Sequence, residues 1–335
     1  EDKADLAFKQ LIGEDVVELP QVAIFTALKT QGVVFNRLDR IREIELQNLT
    51  PPAAGEGEEL NRVWAGAFGV WADADNKNGI FGFEYEGGGV AVGFDRQFDG
   101  LPGLRLGLSA AFSNGTFKNN NGLTNADVDT LGLGVYGSYI LSNGLFFDAT
   151  VAYAKANNLY TTRRILGGLE TGDFDVDTWQ LGGRVGYVYK TGAWQFIPSV
   201  GVKYLTAKQD AWTESLVGAT GSVNSFTATT DHELDIPIQL KINTTITKGS
   251  ATITPELRLG YTIVADKLSN HLNTGFGTSD TYPDQRPRSI RNTFQVGAGI
   301  KINTGGPVDF FANYDLDVAS GYKSHNASLG LGIEF

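Results

Sequence analysis

The chain has 335 residues and a net charge of −11, an acidic balance that argues against a nucleic-acid partner, which would call for a basic stripe. Cysteine is absent, which excludes a disulfide framework, a thiolate metal site and a Cys nucleophile. Glycine contributes 42 residues and proline only 10; against a usual glycine share of about 7%, this favours one large barrel over several soluble domains.

The chain starts without Met and without a positively charged and then apolar leader, so we expect an export signal to have been removed. No apolar run reaches the ~18 residues that a transmembrane helix needs. A β-barrel remains open, because its spanning strands show only alternating apolar residues.

Residues 1–58 contain few glycines and show no alternation of apolar and polar residues. Apolar residues at positions 4 to 11 share one helix face, and Gly13 follows as a stop signal. Pro20 suits the first turn of a longer helix, in which a break is expected at Gly32. The predicted structure of this part is therefore helical.

The second half of the longer helix, residues 33–49, carries an apolar stripe and has Arg37 and Arg40 on another face. At about 1.5 Å per residue it would span roughly 25 Å, the height of a barrel's apolar band. Residues 50–59 are rich in Pro, Gly and Glu, which predicts a linker.

A two-residue period begins after the linker, so residues 59–335 are expected to form a β-domain. Apolar side chains alternate there with glycines and small polar residues. The final strand places Leu331, Ile333 and Phe335 on one apolar face. Twelve strands are predicted, at residues 61–73, 80–97, 103–113, 127–141, 144–157, 174–189, 193–207, 231–246, 251–264, 291–303, 307–318 and 325–335.

The connections between these strands alternate between tight turns and longer polar segments. Short turns on one side, long loops on the other and an even strand number are typical of bacterial outer-membrane barrels, whose long loops face the cell exterior. Aromatic residues near strand ends fit interfacial girdles. They are Trp64, Trp71, Tyr139, Tyr189, Trp194 and Phe335.

A soluble β-sandwich is the alternative that the period alone leaves open. Its second face should be rich in Lys, Glu and Thr, whereas the second face here is rich in Gly and suits the polar lumen of a closed barrel. This face also carries ionisable groups of both signs. They are Arg105, Asp148, Arg184, Lys203, Glu256, Arg258, Lys301, Asp309 and Asp315.

Seven short segments occur in an order and spacing that a known family also shows. They are residues 35–40, 63–66, 89–96, 104–109, 133–139, 143–149 and 331–335. Each segment consists mostly of glycines and of alternating apolar and polar residues. The ordered set nevertheless resembles the autotransporter (type V secretion) translocator family over nearly the whole chain.

This resemblance implies a twelve-stranded antiparallel transmembrane β-barrel with an N-terminal α-helix threaded through its lumen. In that family the barrel exports an N-terminal passenger to the cell surface, and the passenger is expected upstream of this chain. The C-terminal residues Leu331, Ile333 and Phe335 would be the assembly signal. The implied partners are outer-membrane lipid and lipopolysaccharide, the barrel-assembly machinery and the chain's own passenger.

Arg37 and Arg40 are three residues apart on a helix and can point the same way. We expect them to hold the helix as a plug by pairing with lumenal carboxylates. A solvated periplasmic helix is the competing interpretation, and the apolar stripe beside the arginines also counts against a wholly polar lumen. The candidate partners are Asp148, Glu256, Asp309 and Asp315.

No catalytic residue, metal ligand or cofactor is predicted. By parity His232 faces lipid, and His271 and His325 have no Ser or carboxylate at a telling spacing. Asp73 and Asp75 only superficially resemble a calcium loop, and no phosphate-binding Gly-Lys-Ser/Thr loop is present.

Two other functions stay open: a stand-alone porin or adhesin barrel, and a membrane-embedded hydrolase. Some members of the resembled family cleave themselves within the pore helix. The Asn-Asn pair that one branch uses for this is absent between residues 20 and 50, so cleavage is left open.

Overall fold

The computed structural model describes residues 3–11, 13–16, 18–48, 61–77, 80–98, 101–221, 223–266, 274–276, 280–281 and 292–335. The linker predicted at residues 50–59 and the loop histidine His271 lie outside these residues.

The N-terminal part is helical, as predicted. Helix α1 spans Lys3–Leu11, a 3-10 helix spans Glu14–Val16, and the long helix α2 spans Leu19–Asn48. Gly13 has a φ of 74° and follows α1, where an L-residue would be strained. Among the described residues, no helix is both long and apolar enough to cross a bilayer.

The break expected at Gly32 was wrong, because α2 continues through this residue. A glycine inside a helix costs only about 1 kcal/mol relative to alanine, which the packing of the remaining helix outweighs. Nothing lies within 4 Å of the position that a Gly32 side chain would occupy.

Twelve long antiparallel strands form one closed barrel, as predicted. Consecutive strands pair, β6 pairs with β7, and β12 returns to pair with β1 along its whole length. Their bounds are β1 Asn61–Ala74, β2 Phe83–Phe98, β3 Leu101–Asn119, β4 Thr124–Ile140, β5 Leu145–Arg163, β6 Leu169–Tyr187, β7 Trp194–Gln209, β8 Thr229–Thr244, β9 Ala251–Asp266, β10 Thr293–Asn303, β11 Val308–Ala319 and β12 Tyr322–Glu334.

The two ends of the barrel differ in their connections. We call the end at which β2 joins β3, and at which Asn61 and Phe335 lie, the turn end, and the opposite end the loop end. At the turn end Asn61 and Phe335 exchange two backbone hydrogen bonds of 3.2 and 2.9 Å. The two longest connections, between β7 and β8 and between β9 and β10, lie at the loop end.

The predicted alternation of short and long connections fails at the loop end in three places, and one of them is the segment predicted as a loop at residues 156–172, which is mostly strand. The segment predicted as a polar loop between β3 and β4 is mostly strand, because outward polar side chains pair across it, as Asn114 does with Asp129 at 2.6 Å. The connection between β11 and β12 is only a two-residue turn at Ser320 and Gly321, where the glycine has a φ of 64°.

The two faces of each strand have the expected opposite character. On β4, Leu131, Leu133 and Val135 point outward and are more than half exposed, whereas Thr130 and Tyr136 point inward and are buried. An exposed apolar band on a closed barrel is the surface that lipid covers.

Trp64 does not belong to an interfacial girdle, contrary to the sequence prediction, because its side chain points into the lumen and is 1% exposed. Glycines on neighbouring strands make room for such inward rings. A Cβ on Gly93 would lie 2.5 Å from the Trp64 ring, and one on Gly107 would lie 2.3 Å from the Tyr136 ring. The inner glycines therefore accommodate aromatic side chains as well as lining a pore.

We expect Leu133→Arg to lower the free energy of unfolding in lipid vesicles by about 2–4 kcal/mol, because it places a charge on the lipid face. Urea unfolding of the vesicle-embedded barrel measures this loss. Leu133→Ala is the matched control and should cost less. Equal losses for the two variants would contradict the lipid-facing position of Leu133.

Candidate functional site: the helix-filled lumen

Helix α2 lies inside the barrel with its N-terminal half at the loop end and its C-terminal half at the turn end. Phe25 packs edge-on against Tyr85 at 5.9 Å and Tyr322 at 6.3 Å, two residues at the loop end of their strands. Arg37 contacts Asp95, near the turn end of β2. The chain therefore runs down through the lumen before it enters β1.

Part of the loop-end half of the lumen is apolar. Leu19, Val22 and Ala23 of α2 are completely buried in a cluster with inward residues such as Phe83 and Phe117. The apolar stripe beside the arginines packs elsewhere, because Val34 and Leu38 are buried in a second cluster with Trp64 and Tyr136. Burial of such side chains is worth about 1.5–3 kcal/mol each.

The turn-end half of the lumen is charged, and Arg37 makes its best-formed contact. The guanidinium donates from Nε and Nη2 to the two carboxylate oxygens of Asp95, at 2.7 and 2.9 Å. Arg37 is 1% exposed and Asp95 is fully buried. This is the bidentate geometry that gives Arg–carboxylate pairs their strength and orientation.

Asp95 is also held by the barrel wall. Arg105 Nη1 and the Tyr136 hydroxyl each donate to it at 3.0 Å, and Trp64 Nε1 donates to the Tyr136 oxygen at 2.7 Å. The Asp95 carboxylate thus accepts hydrogen bonds from Arg37, Arg105 and Tyr136, and it is buried from solvent. The wall presents a carboxylate whose position is set in advance for Arg37.

Arg40 forms an ion pair with Asp309 on β11, and its guanidinium lies 5.2 Å from the ring centre of Phe311. Of the four carboxylates predicted from the sequence, Asp309 is the one that contacts either Arg37 or Arg40 in the described structure. The contact also ties α2 to a strand on the far side of the barrel from β4.

A third arginine of α2, Arg42, contacts Asp148 at 2.5 Å and Asp39 at 2.9 Å. Its guanidinium also lies 3.5 Å from the ring centre of Phe146. Arg184 of β6 bridges the same two carboxylates, at 2.6 Å from each. Helix and wall therefore share one network of alternating charge.

The other two predicted carboxylates lie in the lumen but pair with wall cations. Glu256 contacts Lys301 at 2.9 Å, and Asp315 contacts Arg258 at 2.9 Å.

Sequence reasoning missed Asp95 and Arg42. Parity with the outward residues Val92 and Phe94 could have placed Asp95 in the lumen. Arg42 lies five residues after Arg37, which separates the two on a helix, so no spacing signal linked them.

A cavity of about 330 Å³ lies between α2 and the wall formed by β6 to β12 and β1. At roughly 30 Å³ per water it has room for about ten. The helix packs most closely on β3, β4 and β5, so the plug fills the pore unevenly. The charged residues that line the cavity include Lys29, Lys203, Glu233, Asp235, Arg258 and Asp317.

The histidines of the described strands lie outside the lumen. His232 is exposed and stacks on Tyr204, and His325 is 2.6 Å from the Tyr314 hydroxyl. Asp73 contacts Lys323 at 3.6 Å. Within the described ranges, no group of three or more His, Asp or Glu residues could hold a metal ion.

The closed barrel, its lipid-facing band and its paired lumen define a transmembrane β-barrel whose pore is occupied by its own N-terminal helix. The family model of the autotransporter beta-domain matches residues 63–315. The chain belongs to this family, and it is a barrel of the bacterial outer membrane.

Relatives and solved structures agree with this assignment. Outer membrane protein B of Rickettsia prowazekii is 23% identical, with 92% of this chain and 20% of the relative covered. The chain thus spans about a fifth of the length of such curated relatives.

The translocator domain of the autotransporter NalP from Neisseria meningitidis is similar in fold, with a TM-score of 0.66 at 16% identity over 91% of this chain and 97% of that one. The beta domain of the Bordetella autotransporter BrkA gives 0.58 at 15% identity, over 82% of this chain and 98% of that one.

We expect Asp95→Ala to lower the free energy of unfolding by about 3–5 kcal/mol, because it leaves Arg37 and Arg105 buried without their carboxylate. Denaturant unfolding of the refolded barrel measures the loss. The control is Asp73→Ala, which breaks an exposed pair with Lys323 and should cost less than about 1 kcal/mol. Similar small losses for both variants would show that the network does not hold the fold.

Proposed function

We propose that this chain is the translocator of an autotransporter, which exports an N-terminal passenger through its barrel and then remains closed by α2. The observation that carries the proposal is the path of the chain. Because Phe25 lies at the loop end and Arg37 near the turn end, the N-terminal end of α2 faces the loop side, while the barrel's own ends lie on the turn side.

This path is the one that a passenger exported through the barrel would leave behind. A porin has no need of a buried helix whose arginines Arg37, Arg40 and Arg42 each match a wall carboxylate. The role proposed is transport rather than catalysis. No cofactor is invoked.

The proposal divides the chain into a passenger-proximal segment with its plug at residues 1–58 and the translocator barrel at residues 59–335. We place the loop end at the cell exterior, where it would contact lipopolysaccharide, and the turn end at the periplasm. Insertion would depend on the barrel-assembly machinery, with Leu331, Ile333 and Phe335 as the signal. All three side chains face outward and are more than a third exposed.

The plug has a direct test in single-channel conductance across planar bilayers. Arg37→Glu combined with Arg40→Glu should raise the conductance, because each substitution sets a carboxylate against Asp95 or Asp309. A chain that begins at Glu59 should conduct more than the parent and more than the double variant, because it lacks the helix. The parent should be nearly closed.

The matched control is Lys208→Glu with Lys323→Glu, which reverses two exposed cations at the loop end and should leave the conductance unchanged. If the parent and the chain starting at Glu59 conduct equally, the helix does not close the pore, and a stand-alone porin becomes the better account.

Deletion of Phe335 should reduce the amount of folded barrel in the outer membrane, because the last residue is part of the proposed assembly signal and 66% of its surface is exposed. Heat-modifiable gel mobility of membrane fractions measures folded barrel. Phe112→Ala removes another lipid-facing ring, on β3 away from the C-terminal strand, and serves as control. Normal membrane levels after the deletion would refute the signal.

A further inference from the structure

The residues before α2 form a second closure that passenger export does not require. We call the described residues between Lys3 and Glu18 the strap. The strap lies over the loop end, where the Gln10 side chain donates to the Arg163 carbonyl and accepts from the Ile165 amide, both at 2.9 Å. One glutamine side chain thus engages the connection between β5 and β6 through both its polar atoms.

Two further loop-end elements hold the strap. Asn224, in the connection between β7 and β8, donates to the Gln10 carbonyl at 3.2 Å. Asn119, at the end of β3, donates to the Asp15 carbonyl at 3.0 Å. The strap thus contacts the β5–β6 connection, the β7–β8 connection and the end of β3. By bridging these three elements it closes the mouth of the barrel at the loop end.

The connection between β7 and β8 is itself fastened over the barrel. The Trp212 ring is sandwiched between Phe174 of β6 at 4.2 Å and Phe226 at 4.1 Å, with nearly parallel planes. Stacked aromatic pairs of this kind stabilise the connection beyond the area that they bury. The strap therefore docks against a surface that is held in place without it.

Three buried carboxyl groups from three elements meet beneath the strap. Asp15 belongs to the strap, Glu170 to β6 and Glu214 to the β7–β8 connection, and each is at most 5% exposed. Thr124 donates to Asp15 at 3.1 Å, and Tyr160 donates to Glu214 at 2.9 Å. Negative charges on neighbouring buried carboxyl groups repel each other. This arrangement is therefore more stable when some of the groups are protonated.

Other charged groups of the described residues surround this site. Arg164 pairs with Glu170, and Lys9 lies 3.7 Å from Glu14 within the strap. Glu18 is a further buried carboxyl group of the strap. Of the groups named here, five are acidic and two are cationic.

We propose that the strap is a pH-dependent latch, which stays docked over the loop end while the carboxyl groups of Asp15 and Glu214 hold protons and is released when they ionise beside Glu170. The proposal concerns the strap alone, so it does not depend on the export function or on the plug formed by Arg37 and Arg40.

The direction of the pH dependence follows from the docked state. Burial, with the charge of Glu170 added, raises the pKa of Asp15 to about 7, and burial with the same neighbour raises the pKa of Glu214 to about 8. Free carboxyl groups titrate near 4. Docking is therefore favoured most below about pH 4, and this contribution is lost as the pH rises through 7 to 8.

Because the chain has no cysteine, a single label can report the strap. Phe8→Cys places a maleimide fluorophore at a strap position that is 57% exposed. In the full chain in lipid vesicles, the anisotropy of this label should be high at pH 6 and low at pH 9. We expect the released fraction to rise at least about tenfold between these values.

The labelled variant Asp15→Asn with Glu170→Gln and Glu214→Gln should stay docked at both pH values. Glu214→Gln alone should shift the midpoint of strap release to higher pH, because it removes one of the charges that repel each other in the docked state. Asp5→Asn changes a half-exposed carboxyl group of the same strap and should behave as the parent does.

A parent anisotropy that does not change with pH would overturn the proposal. So would a triple variant that titrates as the parent does, or one that is mobile at both pH values while heat-modifiable mobility shows a folded barrel. Failure of the plug prediction would leave these readings unchanged, because anisotropy does not measure conductance.

Discussion

The antiparallel pairing of β1 with β12 is the contact on which the rest of the barrel depends. It runs from Arg62 opposite Glu334 to Ala74 opposite Tyr322, and it removes the two strand edges that an open sheet would leave. In lipid, each unpaired backbone polar group costs several kcal/mol. Closure therefore makes the outer face a continuous apolar surface and turns every inward face into the wall of one lumen.

That lumen contains two chemical environments, and α2 matches both. Its N-terminal half packs into an apolar cluster at the loop end, where Phe25 contacts Tyr85 and Tyr322. Its charged half lies at the turn end, where Arg37 meets the preset carboxylate of Asp95. A buried charge without a partner is costly, so helix and wall hold each other at that end, while the cavity beside β6 to β12 and β1 leaves the other side of the helix loosely packed.

Twelve strands, their outward faces and the two helices could be predicted because they depend on local period and turn residues. Gly13, Pro20 and the alternation of Leu131, Leu133 and Val135 act within a few residues. The lengths of β3 to β6 could not be predicted in this way. Polar pairs across strands, such as Asn114 with Asp129, extend the sheet past its apolar band, and partners on different strands leave no local signal.

The sequence by itself determined the fold class, the inward position of Asp148, Glu256, Asp309 and Asp315, and the presence of cations on the pore helix. Only the tertiary structure decided which charges meet. Arg40 contacts Asp309, but Arg37 contacts Asp95 and Arg42 takes Asp148. The rotation and depth of a helix inside a barrel depend on the packing of all its faces at once, and no spacing along the chain encodes them.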